Sequence, residues 1–549
     1  FTLDGTTLAL SSGNMTLDSA GEIILDADGG NIIFYDAGAN IGRISNASSN
    51  LRIQSDIDDK DIIFRGKDGS SYITALTLDM SAAGAATFNA GVTTGGTLDV
   101  GGQNILYDNY DGIGAVFRRN GSHGSVISLG RQGVSDGVTL DYPSDNTFAV
   151  STASTERFRI SSDGSLSTPT AGTSNVRFGV NAGNSIASGG NYNTVVGDQA
   201  GTAITTGSAN VAIGYNALDA EDTGNNNTAV GFLALTALNF NGDGYNTAVG
   251  TQAGAAVTTG VQNTFVGGLA GDALDVGSYN IAIGMNALTT DTKGSKSVAM
   301  GYDALGVQNF TSATDSFNTA IGHGAGRTIT TGTGNTLIGG LAGDALTDAD
   351  RNVAIGYQAL SADDLGSRTI AIGAGAALLQ NYVSATDSHN TCVGDLAGLY
   401  NVTGVKNTWL GSAAGVGASG QSNSNNTGVG YAAGLKITTG TFNTLIGSLA
   451  GDALTDADNN VAIGASALTS DTLGSSTIAI GFGALYSQNF TSATNTYNVA
   501  VGHNAGLLVS TGTQNTLIGG LAGDALQDAD YNVAVGMQAL TRDTLGSKS

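Results

Sequence analysis

Four histidines (His123, His323, His389 and His503), one cysteine (Cys392) and a set of recurring aspartates are the residues of this 549-residue chain that could do chemistry. The histidines form no H-x-H, H-E-x-x-H or Cys/His cluster, the spacings a transition-metal site needs. His323 and His503 share one register of a repeat whose other copies hold Tyr, Asp and other residues in that slot, the habit of a surface position, although in an oligomer they would form rings. Cys392 stands where other repeats carry Ala or Leu and reads as a small buried hydrophobe. The run GDALTDAD at 343–350 and 451–458, with GDALQDAD at 523–530, sets Asp at i, i+4 and i+6. Calcium takes several carboxylate oxygens, so this pattern could supply a Ca²⁺ turn. The nonapeptide calcium-roll motif is absent, however, and Asp in turns commonly satisfies nearby backbone N–H groups. The expectation is no cofactor, with Ca²⁺ as the one alternative.

Catalysis has little to work with. Glycan cleavage needs a unique pair of carboxylates at a fixed separation, whereas a repetitive chain offers equivalent aspartates in every unit. No P-loop occurs. Only within 103–168, where Asp108, Asp111 and Arg118 could gather, is there irregular sequence for a site. We therefore expect a non-enzyme.

What must position all of these residues is a nine-residue phrase: NTAIGHGAG at 318–326, NTLIGGLAG at 335–343, NVAIGYQAL at 352–360. Its central glycine recurs 21 times, from Gly179 to Gly536, always with Ala three residues later, and with Asn four residues earlier except at Ser297, Thr369 and Thr477. Asn318, Gly322 and Ala325, then Asn335, Gly339 and Ala342, then Asn352, Gly356 and Ala359 are three successive sets of these structural anchors. From Gly250 the anchors are spaced 17, 17, 17 and 21 residues, then repeat, and the residue after the fixed Ala runs mostly Gly, Gly, Leu, Leu. Four coils make one higher-order unit. A fixed period of this size marks a solenoid, and 17 residues suit two strands and two turns.

Composition agrees. Gly accounts for 84 residues, charged residues for only 12% and Pro for 2, which describes stacked short strands with tight turns and leaves long helices without their formers. A hydrophobic share of 41% argues against disorder. The net charge of −25 argues against nucleic acid and against an anionic membrane surface, which both select clustered cations. No run approaches the ~20 apolar residues of a transmembrane helix, and no signal peptide is visible. Because the chain opens without Met and stops inside a repeat, we expect the gene to run past both ends.

Alternation within N-T-A-V-G places positions two and four on one face, and their β-branched character makes that face the expected interior. Position three then points outward. It is usually Ala, broken by Phe265, Leu337, Trp409, Leu445 and Leu517. Small outward residues would admit a second chain closely. A thin roll of Ala and Gly buries little alone, so a homotrimer is expected. The glycine would supply φ > 0 or close packing, and the stacked Asn would bridge backbone groups of adjacent coils. At ~4.8 Å per coil, the 21 anchors imply a shaft of roughly 95 Å.

Three regions result. Residues 1–102 are short alternating runs such as NIIFYD and LRIQSD, ending in a thin Gly-rich neck; 103–168 read as a small β-module; 169–549 are the repeat shaft. The fold class is all-β and fibrous: N-terminal short-strand modules followed by a long parallel β-solenoid (β-roll) of about 17-residue coils in four-coil units. The 21-residue coils carry inserted loops, QNFTSATDSFN, QNYVSATDSHN and QNFTSATNTYN, whose Phe310, Tyr382 and Phe490 are candidate receptor contacts. A plainer role for each ring is to cap the apolar edge of its coil.

The N-x-A-[VI]-G-x-x-A repeat resembles the head of trimeric autotransporter adhesins, a trimeric left-handed parallel β-roll, although those coils are shorter and lack the four-coil rhythm. GNMTLDSAGEIILDADGGNIIF (13–34), DMSAAGAATF (79–88) and ERFRISSDG (156–164), followed by NTAVG-type arrays, are together more similar to tail fibres of marine bacteriophages. That resemblance implies a virion structural protein, extracellular, acting in host attachment. Its partners would be phage tail or baseplate proteins and a host surface glycan or protein receptor, with neither nucleic acid nor membrane insertion. It also implies a C-terminal endosialidase-type chaperone, which nothing in the chain matches. The alternatives are a bacterial cell-surface adhesin or filament subunit and, second, a polysaccharide-degrading tailspike.

Overall fold

The computed structural model describes residues 8, 10, 12–25, 30–82, 84–89, 114–120, 123–130, 138–141, 148–152, 155–160, 166–168 and 171–549. The chain divides into two units, Phe1–Asn104 and Ile105–Ser549. No helix occurs among the described residues.

The first unit holds two antiparallel three-stranded sheets. One is β1 (Asn31–Asp36), β2 (Ala39–Ala47) and β3 (Asn50–Ser55); the other is β4 (Ile62–Asp68), β5 (Ser71–Asp79) and β6 (Ala85–Phe88). The two-residue loops of the first sheet, Ala37-Gly38 and Ser48-Ser49, all have φ between 48° and 86°, which gives the turn twist that matches paired strands. The expected neck at 85–102 is described only as far as β6 and Asn89.

The second unit opens with a six-stranded antiparallel meander of β7 (Gly114–Asn120), β8 (His123–Gly130), β9 (Val138–Asp141), β10 (Phe148–Thr152), β11 (Thr155–Ile160) and β12 (Leu166–Ser167), each beside its sequence neighbour. The solenoid follows. Its 21 three-residue strands, Val176–Phe178 to Val533–Val535, form one parallel sheet in chain order. The ladder is in register throughout, as in Thr319, Ala320 and Ile321 against Thr336, Leu337 and Ile338.

Each coil thus has one three-residue strand, where the 17-residue spacing had suggested two. A second, two-residue strand appears only around the 21-residue coils, pairing Gly294–Ser295 with Thr314–Asp315, Gly366–Ser367 with Thr386–Asp387, and Gly474–Ser475 with Thr494–Asn495. The backbone explains the shortage. The anchor glycine has φ between 126° and 147° in all 21 coils, and the residues two and four after it and five before it all lie near φ +60°. Only three successive residues remain extended. The anchor also packs tightly: a Cβ on Gly339 would sit 2.5 Å from the carbonyl oxygen of Gly356.

The interior is the reverse of the face read from the sequence. Position three is buried in every coil from Val195 onward (the first coil holds the half-buried Arg177 there), and positions two and four lie half-buried or exposed on the outside, as in the pattern of Thr228–Val230. The reason lies in position one. Asn335 is buried because its amide is fully used: Oδ1 accepts from the backbone N–H of Asn352 at 2.9 Å, and Nδ2 donates to the carbonyl of Ala349 at 2.7 Å. With Asn inside, the strand period of two puts Ala inside as well and turns Thr and Val outward. The expectation of a small-residue outer face meeting a partner falls with this correction.

The four-coil rhythm is volume matching. Where two successive coils have Gly four after the anchor, the strand of the second supplies one large core side chain that fills the space at both; where that residue is Leu, the strand supplies Ala. A Cβ on Gly326 or Gly343 would lie 2.6 or 2.9 Å from the Leu337 side chain, and one on Gly254 or Gly271 would lie 2.7 or 2.4 Å from Phe265. Leu288 and Leu305 instead accompany Ala282 and Ala299. Trp409 is the extreme: Gly415 and Gly428 leave room for its ring, where a Cβ would come within 2.1 and 2.4 Å.

Candidate functional site

The three places where the ladder Asn is missing are one construction repeated. Ser297 occupies the Asn position, and Gln308, from the following loop, brings in the missing amide. Its Nε2 donates to Asp291 Oδ2 at 2.6 Å and to Ser297 Oγ at 2.9 Å, while its Oε1 accepts from Asn318 Nδ2 at 2.9 Å. The other carboxylate oxygen of Asp291 accepts from the backbone N–H of Gly294 at 2.9 Å and of Phe310 at 3.2 Å. Asp363, Gln380, Thr369 and Asn390 repeat this arrangement, as do Asp471, Gln488, Thr477 and Asn498. All of these side chains are buried. Burial pushes the Asp291 and Asp363 carboxyls above the usual carboxylate range, and the donors converging on them only partly offset it. Every acceptor is occupied by a protein donor, so the network is a splint between coils.

The loop aromatics belong to that splint. Phe310, Tyr382 and Phe490 are 5%, 4% and 6% exposed, which places the rings beneath their loops and away from any receptor. This corrects their reading as contact residues. Tyr382 Oη donates to the carbonyl of Gly404 at 2.7 Å, and burial raises its phenol well above the ordinary range. What the loops expose is a tripeptide tip, Thr311-Ser312-Ala313, Val383-Ser384-Ala385 and Thr491-Ser492-Ala493.

The remaining candidates are dispersed. His323 stacks on Tyr302 with ring centroids 5.2 Å apart, His503 stacks on Phe482 at 5.3 Å, and His389 is exposed beside the buried Asn390. His123 lies on β8, its side chain outside the described residues, and the same holds for Arg118 on β7; Asp108 and Asp111 are outside them altogether. Cys392 is buried at position three of its strand, and burial pushes its thiol up to about 12. The aspartates of 343–350 turn to different coils: Asp344 accepts from Ser361, Asp348 from Thr331 at 2.7 Å, and Asp350 from the Thr333 backbone N–H at 2.7 Å. Among the described residues no cluster of three or more His, Cys, Asp or Glu is disposed to hold a metal ion, and no helix is long and apolar enough to cross a membrane.

The sequence reading missed the outer face of the sheet. Two columns of side chains form it, Thr, Val or Ile at position two and mainly Val or Ile at position four, without one charged residue from Val176 to Val535. Two further columns flank it. The residue just after the anchor includes Tyr215, Phe232, Tyr357 and Phe482, and the residue five before the anchor includes Tyr245, Phe317 and Tyr497. The buried Asn was the signal that would have oriented the alternation. Compared with protein-family models, with curated proteins and with solved structures, the chain matches none of them.

Proposed function

We propose that this chain is the shaft of a bacteriophage tail fibre or tail appendage, a rigid extracellular spacer that carries host-attachment contacts away from the virion. The 21-stranded in-register solenoid supports this reading: a parallel β-solenoid of this length suits a fibrous structural or adhesive protein. The phage assignment rests on the three N-terminal stretches whose combination resembles marine tail fibres. In this reading the chain performs no catalysis and needs no cofactor. It meets tail or baseplate proteins at one end and a host glycan or protein receptor at the other. The loop tips, repeated along the shaft, offer weak multivalent contacts. Gold-labelled antibody raised against residues 171–549 should decorate tail appendages of particles in a lysate that contains the chain. Decoration of the bacterial envelope instead, with bare particles, would replace this reading with the cell-surface adhesin.

A further inference from the structure

The column five residues before the anchor departs from the rest of the shaft in charge. Residues 169–549 contain ten Lys and Arg, and four of them, Lys296, Arg351, Arg368 and Lys406, stand in this column, which supplies only 21 of those 381 positions. Arg351, Arg368, His389 and Lys406 occupy four successive coils and are all exposed. The strands that follow them pair in register, Val353 to Ile370 to Thr391 to Thr408. The four side chains therefore climb the shaft by one coil, ~4.8 Å, per step.

Nothing inside the chain selects these cations. They lie at φ between 52° and 60°, where Gly or Asn costs least, and Asn226, Asn425 and Asn459 hold the equivalent place in other coils. Arg368 Nε reaches Asp387 Oδ1 at 3.1 Å, but among the described residues no carboxylate pairs with Arg351 or Lys406. The Asp350 carboxylate, next to Arg351 in the chain, accepts from the Thr333 backbone N–H at 2.7 Å and the Thr333 hydroxyl at 2.9 Å instead. Stacked like charges repel, and a chain with 45 Asp and Glu has left them unneutralised. Aromatic rings continue the column two coils to either side. Phe317 is 59% exposed, with Lys296 Nζ 5.1 Å from its centroid, and Phe442 is 61% exposed. Between Phe317 and Arg351 stands Gly334, which leaves a notch in the column.

We infer that this column is a track for a linear acidic polysaccharide, a chain of sugar rings bearing carboxylates, which lies along the shaft from Phe317 to Phe442. The cations meet its carboxylates in single file, and the exposed rings at the two ends offer flat apolar platforms for sugar faces. Charge spacing chooses this partner. One cation per ~4.8 Å coil suits a polymer with one acid group per sugar. A DNA duplex carries a charge about every 1.7 Å, too dense for a single file of cations and repelled by the acidic surface on either side. A bilayer presents a plane of charge where the column offers a line. As a role in attachment this rests on the fibre reading above, but its test uses purified protein and polymer, so it and the particle-labelling experiment can fail separately.

Isothermal titration calorimetry of the full chain with polygalacturonate, which has one carboxylate per ring, should show binding at low ionic strength that weakens as salt is raised. Pullulan, a neutral linear glucan, should not bind, and a DNA duplex of random sequence should bind more weakly than polygalacturonate. The combined variant Arg351→Gln, Arg368→Gln and Lys406→Gln should bind polygalacturonate on the order of tenfold more weakly or worse, since a hydrogen bond to a charged group is worth about that factor. Gln262 and Gln514 already occupy the same column, so the backbone accepts the substitution. Lys293→Gln, Arg327→Gln and Lys436→Gln together remove the same charge from elsewhere on the shaft and should leave binding at the parent's level. Absence of polygalacturonate binding, equal binding of pullulan, tighter binding of DNA, or an equal loss in the two variants would each overturn the track.

Discussion

Two kinds of junction hold this solenoid together, and they reach the same register by different chemistry. At Asn335 a single amide does everything: it accepts from the next coil and donates to a turn carbonyl of its own. At Thr369 that amide is missing, and Gln380, Asp363 and Ser388 share the task, with a buried carboxylate in the middle. The first junction is compact and neutral. The second needs a longer coil to deliver its glutamine and leaves a charge inside, so its stability depends on every partner remaining in place. What the second gains is a loop at a fixed place on the shaft. The aromatic ring beneath each loop fills the space that the detour opens.

Breaking the composite junction should have the larger effect. Gln380→Ala removes the side-chain donor to Asp363 and the acceptor of Asn390, leaving a buried carboxylate underpaired, at a cost of about 3–5 kcal/mol. Hydrogen exchange should show opening centred on the Gly373 and Gly394 coils, with distant coils unchanged, since each coil touches only its neighbours. Uniform loosening of all coils would contradict the local picture. Asn335→Ala removes the simple amide and leaves the Asn352 N–H and the Ala349 carbonyl without it, about 2–3 kcal/mol by the same measurement. If it cost more than Gln380→Ala, the ranking of the two junctions would be reversed.

The smallest effect is a pH dependence carried by buried carboxyls, those of the composite junctions among them. Burial raises the folded pKa of Asp291 and Asp363 above the unfolded carboxylate value, so the folded chain binds the proton more tightly. Their contribution is therefore most favourable at low pH and declines as pH rises from the ordinary carboxylate value through the raised one. Denaturant titrations across that window should show a shallower decline for Asp363→Asn than for the parent. An unchanged slope would mean that the carboxylate does not titrate there.

Much of this was legible in the letters. The coil, its period, the 21 anchors and the Gly-Gly-Leu-Leu rhythm are sequence facts, because every coil meets the same packing problem and records the same answer. Ser297, Thr369 and Thr477 were visible as exceptions, and so was Gln at the start of each insert. That the exceptions and the glutamines are one device was not visible. They are 11 residues apart in the chain and meet only when the coil closes. The letters left the loop aromatics two roles for a related reason: an aromatic among Ser, Thr and Asn suits a contact surface as well as a cap, and only the fold buries Phe310, Tyr382 and Phe490.

The sequence by itself determined the repeat, the parallel stacking and the absence of helix formers, since these follow from periodicity and residue type. Only the tertiary structure decided which side is in. Hydrophobicity favoured Val and Ile for the interior, and alternation alone cannot tell one face from the other. The decision came from a polar residue: once its amide is satisfied on both sides, Asn is more cheaply buried than exposed, and it carries Ala inward with it. The β-branched residues are left outside, on the uncharged outer face of the sheet.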